Sequence, residues 1–397
     1  MRIGVVGAGI VGLAVGRRVQ EVLGEVALTV LDKEDRVGAH QTGHNSGVAH
    51  AGVYYAPGSL KATLCRHGIG LLKEYCAQHA IAYRECGKVV VARGAAELPR
   101  LDAIESRARQ NGVPGLRRLG PGELAELEPH VRGVSALHSP STAIVDFSAV
   151  ARALAAEIEH RGGTVRLGFS VSAIDRRGSE IVVGDGADEL AFDRLIVCGG
   201  LQSDRLAVLA GDGAGPDIVP FRGDYQRLIP ARRHLVRGLV YPVPDPAYPF
   251  LGVHFTPRVD GNVDIGPNAV VALAREGYRR RDLCVADIAA IVRSTGFRRL
   301  AWRHWRMGLH EVHGSLSRRV FLAQARSFVP ELRLSDLVPA PAGVRAQALD
   351  PDGSLVDDFR ITRVGEIVLV RNAPSPAATS SLAIAEHIVD AVLAQRP

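Results

Sequence analysis

Between Gly38 and Tyr55 the chain places His40, His44 and His50 beside Gln41, Thr42, Asn45 and Ser46, in a segment relaxed by Gly38, Gly43, Gly47 and Gly52. So many donors and acceptors in a stretch too glycine-rich for a regular helix call for a polar ligand. The ligand class is indicated upstream. An apolar run from Ile3 to Val6 enters Gly7-Ala8-Gly9-Ile10-Val11-Gly12, a helical stretch follows, and a second apolar run from Val26 to Leu31 ends at Asp32. In such a βαβ unit Gly7 permits the tight turn. Gly9 lets backbone N–H groups approach a pyrophosphate at the helix N-terminus, and Gly12 lets the helix lie close on the strand. Asp32 stands where a carboxylate accepts hydrogen bonds from a ribose. The inference is a bound dinucleotide, with NAD and FAD both open at this point.

The polar loop favours the larger molecule. An NAD-binding fold would continue directly into another βα unit, whereas here roughly twenty residues intervene. A flavin has a ribityl chain and ring to contact, for which Gln41, Thr42, Asn45 and Ser46 are suitable partners. At these residues the chain resembles the FAD-dependent D-amino-acid oxidase superfamily. More closely, the run Gly43-His44-Asn45-Ser46-Gly47-Val48-Ala49-His50-Ala51-Gly52-Val53-Tyr54-Tyr55 is similar to the L-2-hydroxyglutarate oxidases and dehydrogenases. The similarity recurs at Phe221–Tyr225, Tyr241–Pro246, Pro249–His254, Gly266–Ala269, Pro341–Ala348 and Asn372–Ser380. Two departures, Asp32 and Asp224, stand where the family more often carries Glu; both keep the carboxylate with a shorter reach.

The resemblance implies FAD, held by Gly7, Gly9, Gly12, Asp32, Lys33, Gln41, Thr42, Asn45, Ser46, Val171, Gly199, Pro374, Ala377, Ala378 and Thr379. It implies oxidation of L-2-hydroxyglutarate, a small dicarboxylate, to 2-oxoglutarate by hydride transfer to flavin N5, with electrons leaving to oxygen or a quinone. An amino-acid or amine oxidase on the same fold is the rival reading. Such chemistry needs a cation for the substrate carboxylate and a base for the hydroxyl proton. Arg345 resembles the superfamily arginine that clamps the carboxylate, a task suited to its planar fork. His254 is the first choice of base, because an imidazole titrates close to working pH, and it reads as the end of an apolar strand from Pro249 to Val253. His50 is the second choice; its setting looks like the place where some superfamily members attach flavin covalently. Tyr55, Lys61, Arg222 and Asn268 are secondary candidates for the pocket or the distal carboxylate. A helix running from Ala377 to Leu393 behind Pro374-Ser375-Pro376 would aim its N-terminus at the charge that reduced flavin gains. His40 and His44 have i, i+4 spacing, but no metal is expected in a loop so poor in helix formers.

The elements that must position these groups are legible in outline. Helical spacing covers Gly58–Ala80, Leu98–Asn111, Pro121–Glu128 and Phe147–Arg161. Extended segments are expected at Lys88–Ala92, Thr164–Asp175, Glu180–Val183 and Leu195–Val197, the last delivered to Cys198-Gly199-Gly200. From Asp217 to about Gly266, Pro and Gly punctuate what read as several short antiparallel strands, and Arg279–Arg326 reads as helical. The expected architecture is α/β: a Rossmann-like FAD-binding domain (1–85, 146–210 and 340–397) interleaved with an antiparallel-sheet α+β substrate domain (86–145 and 211–339). The interleaving is implied mainly by the resemblance.

With 397 residues and 47% hydrophobic side chains, the chain can bury two cores. A formal charge of +6 suits anionic partners, but the arginines are scattered and no zinc-finger or RNA-recognition signature appears, so nucleic acid is not expected. Five cysteines without a Cys-x-x-Cys pair suggest neither a disulfide framework nor a zinc site, and fit a reducing, cytoplasmic setting. No apolar run reaches the roughly 18 residues of a membrane span. Trp302, Trp305, Leu309, Val312 and Leu316 form an apolar helical stripe flanked by Arg298, Arg299, Arg303, Arg306, Arg318 and Arg319. Such a stripe ordinarily joins a helix to a core. The arginines and tryptophans admit a second reading, a peripheral contact with the inner face of the cell membrane.

Overall fold

The computed structural model describes residues 1–213, 215–245 and 252–393. The βαβ unit forms as expected: strand Arg2–Val6 runs parallel to Ala27–Leu31, and the helix Ile10–Leu23 crosses between them. They belong to a six-stranded sheet in the order 360–364, 367–372, 194–197, 2–6, 27–31, 164–166. Only the 360–364 edge is antiparallel. Helices Ile10–Leu23, Phe147–His160 and Ser381–Leu393 cover one face through Leu13, Val15, Leu154, Ile158 and Ile388. A three-stranded sheet (173–177, 180–184, 189–192) and helix Ser203–Leu209 cover the other. Burial on both faces explains why the central strands read as unbroken apolar runs. Helix Phe147–His160 starts where Asp146 accepts hydrogen bonds from the N–H groups of Ser148 (2.9 Å) and Ala149 (3.1 Å).

The second, larger sheet runs 270–271, 217–228, 263–266, 254–257, 239–242, 88–92, 135–139, 117–119, with 337–349 also on 217–228. It differs from the sequence-based expectation in four respects. The first of the supposed short strands is one 12-residue strand, Asp217–Leu228. Gly223 reads as a break, yet it pairs with Gly343 and the irregularity is absorbed between Gly223 and Tyr225. Strand Leu337–Leu349 pairs along this partner, so the expected boundary at 340 falls inside it, and the chain rejoins the first sheet only at Arg360. The sheet is not wholly antiparallel, because Lys88–Ala92 and Leu239–Pro242 run parallel. Finally, His254 opens a strand, His254–Pro257, where the sequence suggested that it ends one; residues 249–251 of that expected strand lie outside the described residues.

Two further elements shift. Thr164–Asp175 divides into a strand Thr164–Arg166 on the first sheet and the start of Ala173–Arg177, with Phe169 buried in the bend between. Arg279–Arg326 divides into Val285–Arg293, Thr295–Leu316 and Arg318–Arg326, with non-helical backbone at His304 inside the middle one. Trp302 is 84% exposed and Trp305 55% exposed, so these two members of the stripe do not join the core. The side chains of Arg306, Leu309, Val312 and Leu316 lie outside the described residues. Among the described residues no helix is long and apolar enough to cross a membrane.

Candidate active site

A cavity of about 1290 Å³ is lined both by the glycine turn of the first sheet and by His254 and Arg345 of the second. The turn has the shape a pyrophosphate requires. A Cβ on Gly12 would lie 1.9 Å from the Gly7 carbonyl oxygen, and one on Gly7 would lie 2.4 Å from that of Cys198, so helix and strands close on each other only with glycine there. A Cβ on Gly9, by contrast, would meet only the Thr42 hydroxyl at 3.5 Å and would fill the cradle itself. Gly9 caps the helix without a side-chain partner, and no acidic residue occupies the first turn, leaving N–H groups for an anion. Asp32 accepts from the N–H groups of Ala8 (2.6 Å) and Glu34 (3.0 Å) and still borders the cavity, with lone pairs free for ribose hydroxyls.

The polar loop is organised by its own side chains. Thr42 accepts from the Ile10 N–H (3.0 Å), tying the loop to the glycine turn. Asn45 donates to the Gln41 (3.1 Å) and Thr42 (2.8 Å) carbonyls and accepts from the Gly47 N–H (2.8 Å). Residues 275–278 form a strap that packs against it. Glu276 pairs with Lys33 (2.9 Å) and accepts from Gln202 (2.9 Å), and the Tyr278 ring stacks on His44 at 4.0 Å. Buried Arg275 anchors the strap on Asp204, at 2.7 Å for one of its two bonds. Glu34, His40 and Glu276 come close enough together to ligate a metal ion, but the Lys33 ammonium reaches all three.

On the second sheet, His254 packs against the Tyr241 ring with centroids 4.1 Å apart and the planes tilted by 32°. The Gly252 carbonyl, 3.1 Å from Nδ1, fixes the imidazole proton there and leaves the Nε2 lone pair to accept one. Burial, with help from the positive charges of Arg345 and Lys88, pushes the His254 pKa down to about 3, against the pull of that carbonyl. His50 is likewise held well below the ordinary histidine range, chiefly by burial and then by Lys88, His254, Lys61 and Arg345. Its Nε2 lies 3.4 Å from the Ser375 hydroxyl. Arg345 lines the same cavity, exposed to its interior, and among the described residues no carboxylate pairs with it. A value near 3 departs from the expectation that His254 titrates close to working pH: the imidazole is neutral and able to accept a proton, but it is a weak base until an anionic substrate beside it raises its pKa.

Residues 2–391 match the family described as FAD dependent oxidoreductase. The chain belongs to that family. It is 45% identical over 405 residues to the mitochondrial L-2-hydroxyglutarate dehydrogenase of Bos taurus, covering 98% of this chain and 88% of that one. It is 43% identical over 389 residues to the L-2-hydroxyglutarate dehydrogenase of Escherichia coli, covering 98% and 92%. Among solved structures, L-alpha-glycerophosphate oxidase from Mycoplasma pneumoniae with FAD bound superposes with a TM-score of 0.80 at 19% identity, over 98% of this chain and 94% of that one. Glycine oxidase from Geobacillus kaustophilus does so with 0.75 at 17% identity, over 100% and 96%. These last two share the fold. The protein is therefore an FAD-dependent oxidoreductase.

Every residue assigned to FAD from sequence borders the cavity, from Gly7, Gly9, Gly12, Asp32 and Lys33 through Gln41, Thr42, Asn45, Ser46, Val171 and Gly199 to Pro374, Ala377, Ala378 and Thr379. Tyr55, Lys61, His50, His254 and Arg345 do so as well. Lys61 meets Asp357, with Nζ 2.8 Å from its carboxylate. Arg222 and Asn268 are not in the lining. Strand alternation turns Arg222 away from the face of Gly223, and it pairs with Asp224 (3.1 Å); Asn268 accepts from the Asp224 N–H (2.7 Å). The C-terminal helix begins at Ser381, not Ala377, because residues 374–380 fold into turns closed by Ala377 N–H to Pro374 O (2.9 Å) and Ser380 N–H to Pro376 O (3.0 Å). Those turns, not the helix end, line the cavity. Sequence reasoning missed Tyr54, Tyr225, Tyr241 and Glu276. The tyrosines stood in family-like motifs, which was a usable signal; nothing local marks Glu276.

Proposed function

We propose that this enzyme oxidises L-2-hydroxyglutarate to 2-oxoglutarate. The observation that carries the reading is that Arg345, which no carboxylate reaches among the described residues, lines one cavity with His254, whose Nε2 lone pair is left to accept a proton, and with the glycine turn. The names of the relatives at about 44% identity support the substrate. Arg345 would grip the carboxylate next to the reacting carbon through a bidentate pair. Nε2 of His254 would take the hydroxyl proton, and Nδ1–H, held by Gly252, would keep the ring in the accepting tautomer. Lys61, beneath the Tyr55 ring at 5.3 Å, is the candidate for the distal carboxylate. FAD, when bound, supplies the hydride acceptor at N5. His50 and Ser375 would border the same region.

Anaerobic titration of the yellow holoenzyme with L-2-hydroxyglutarate tests the reading through bleaching of the flavin band. One equivalent should bleach it, whereas glycine, D-amino acids and amines should not. Bleaching by an amino acid but not by the hydroxy acid would overturn the assignment in favour of an amino-acid oxidase. For the electron acceptor we favour a quinone over oxygen. The exposed Trp302 and Trp305, beside Arg298, Arg299 and Arg303, support contact with an anionic membrane surface where quinone resides. Reoxidation faster with oxygen than with a soluble quinone analogue would reverse that preference.

A further inference from the structure

Lysine occurs at four positions in this chain, among 48 basic side chains. Lys73 lies on the surface with Glu85 (2.8 Å), Lys33 pairs with Glu276 (2.9 Å) and Lys61 with Asp357 (2.8 Å). Lys88 differs from all three. It is 1% exposed, and among the described residues no carboxylate reaches its ammonium. It opens the strand Lys88–Ala92, whose backbone is paired on both sides, with Leu239 and with Ser139. Strand alternation places its side chain on the face of Val90 and Ala92, which pack with Ala51, Val53, Leu137 and Val243. Packing alone would put an apolar side chain at such a position, because a buried charge without a counter-ion is costly.

What surrounds the ammonium is aromatic. Nζ lies 4.3 Å from the centre of the Tyr241 ring and 5.0 Å from that of Tyr54. Both rings line the cavity, whereas Lys88 does not, so the lysine sits behind the wall they form. Tyr241 is also the ring against which His254 packs, at 4.1 Å. We propose that Lys88 is a positioning residue for the oxidation: its ammonium, held by Tyr54 and Tyr241, fixes the ring that supports His254 and keeps that imidazole in its proton-accepting form. The inference rests on the reading of His254 as the base.

The ionisable groups around Lys88 agree in sign. Burial pushes its own pKa down to about 7, opposed weakly by Cys65 on the helix Leu60–Gln78 and by Cys86 on the preceding turn. Its positive charge lowers His50 and His254, in company with Lys61 on His50 and Arg345 on both. In the acid range where a catalytic histidine would gain a proton, Lys88 is charged, so its removal raises the histidine pKa.

The test compares Lys88→Met and Lys88→Arg holoenzymes with the parent. Lys88→Met should keep its flavin and lose about tenfold or more in kcat/KM. The acid limb of its pH profile should move upward by about 0.5–1.5 pH units, and Lys88→Arg should bring the limb back. A flavin-loaded Lys88→Met protein with an unmoved limb overturns the inference. The parent enzyme gives a second measurement that needs no variant: with lysine labelled at the ε-carbon, four resonances should appear, one titrating near pH 7. A Lys88 resonance already neutral at pH 5 would overturn it as well, because no ammonium would then face the Tyr241 ring in the acid range. His254→Ala separates the two readings. If that variant reduces its flavin at the parent rate, the base assignment has failed, whatever the lysine resonance does.

Discussion

The proposed mechanism gives His254 and Arg345 separable tasks, so their variants should fail in different ways. Removing a charge-assisted contact from a desolvated site costs about 2–5 kcal/mol. Arg345→Ala should therefore stay yellow and lose roughly 30-fold to several-thousand-fold in kcat/KM. Parent-like turnover would exclude the carboxylate role. His254→Ala should slow flavin reduction in a single turnover by about 10² to 10⁴, and loss confined to a His50→Ala variant would transfer the role. The depressed pKa of His254 has a sign that can be checked directly. At pH 5 an ordinary histidine is about 97% protonated and useless as a base, whereas one lowered to about 3 remains neutral. The kcat/KM for L-2-hydroxyglutarate should then hold nearly level from pH 7 to pH 5. A tenfold fall across that interval would show that His254 titrates normally or is not the base.

The glycine turn and Glu276 both border the cavity, and each is expected to bear on cofactor retention. Gly9→Val would place side-chain atoms in the pyrophosphate cradle, and the folded variant should contain little flavin; full flavin content would refute the cradle. Glu276 ties together Lys33 and Gln202, which are far apart in sequence. Glu276→Gln keeps the shape and removes the charge, so flavin should leave severalfold faster on dialysis against bromide, while the substrate dependence changes little. Arg275 is a more severe case. It is buried against Asp204, and Arg275→Ala would leave that carboxylate without a counter-ion, held only by the Arg205 and Ile218 N–H groups, with an expected loss of about 3 kcal/mol in urea unfolding. A loss under 1 kcal/mol would mean that water reaches Asp204 freely.

For the whole molecule, the open question is where it works. The two exposed tryptophans lie on one helix with Arg298, Arg299 and Arg303, and neighbouring Val285 and Val292 on the preceding helix are also exposed. Sedimentation with anionic liposomes at low salt should carry the enzyme down. Trp302→Ser together with Trp305→Ser should leave it in the supernatant with its turnover of a soluble quinone analogue intact. Absence of binding by the parent would remove the argument for a membrane acceptor.

Much of this protein was legible from its chain because the deciding signals are local. Gly7, Gly9, Gly12 and Asp32 fall within a single βαβ unit, and the physical demands on a turn, a cradle and a close helix act within a few residues of each other. Burial on both faces of the first sheet leaves continuous apolar runs, so strands 2–6, 27–31 and 194–197 are legible almost to the residue, whereas 164–166 reads as part of a longer segment and 360–364 and 367–372 are absent from the sequence-based expectation. What the chain could not reveal depends on contacts between distant segments. Arg222 and Arg345 sit on paired strands, at neighbouring registers, and only the pleat decides which enters the cavity. Lys88 and Tyr241 meet because strands 88–92 and 239–242 happen to run side by side. Glu276 reaches Lys33 across 243 positions of sequence. Burial and charge at such junctions are properties of the assembled structure, and no periodicity in the sequence records them.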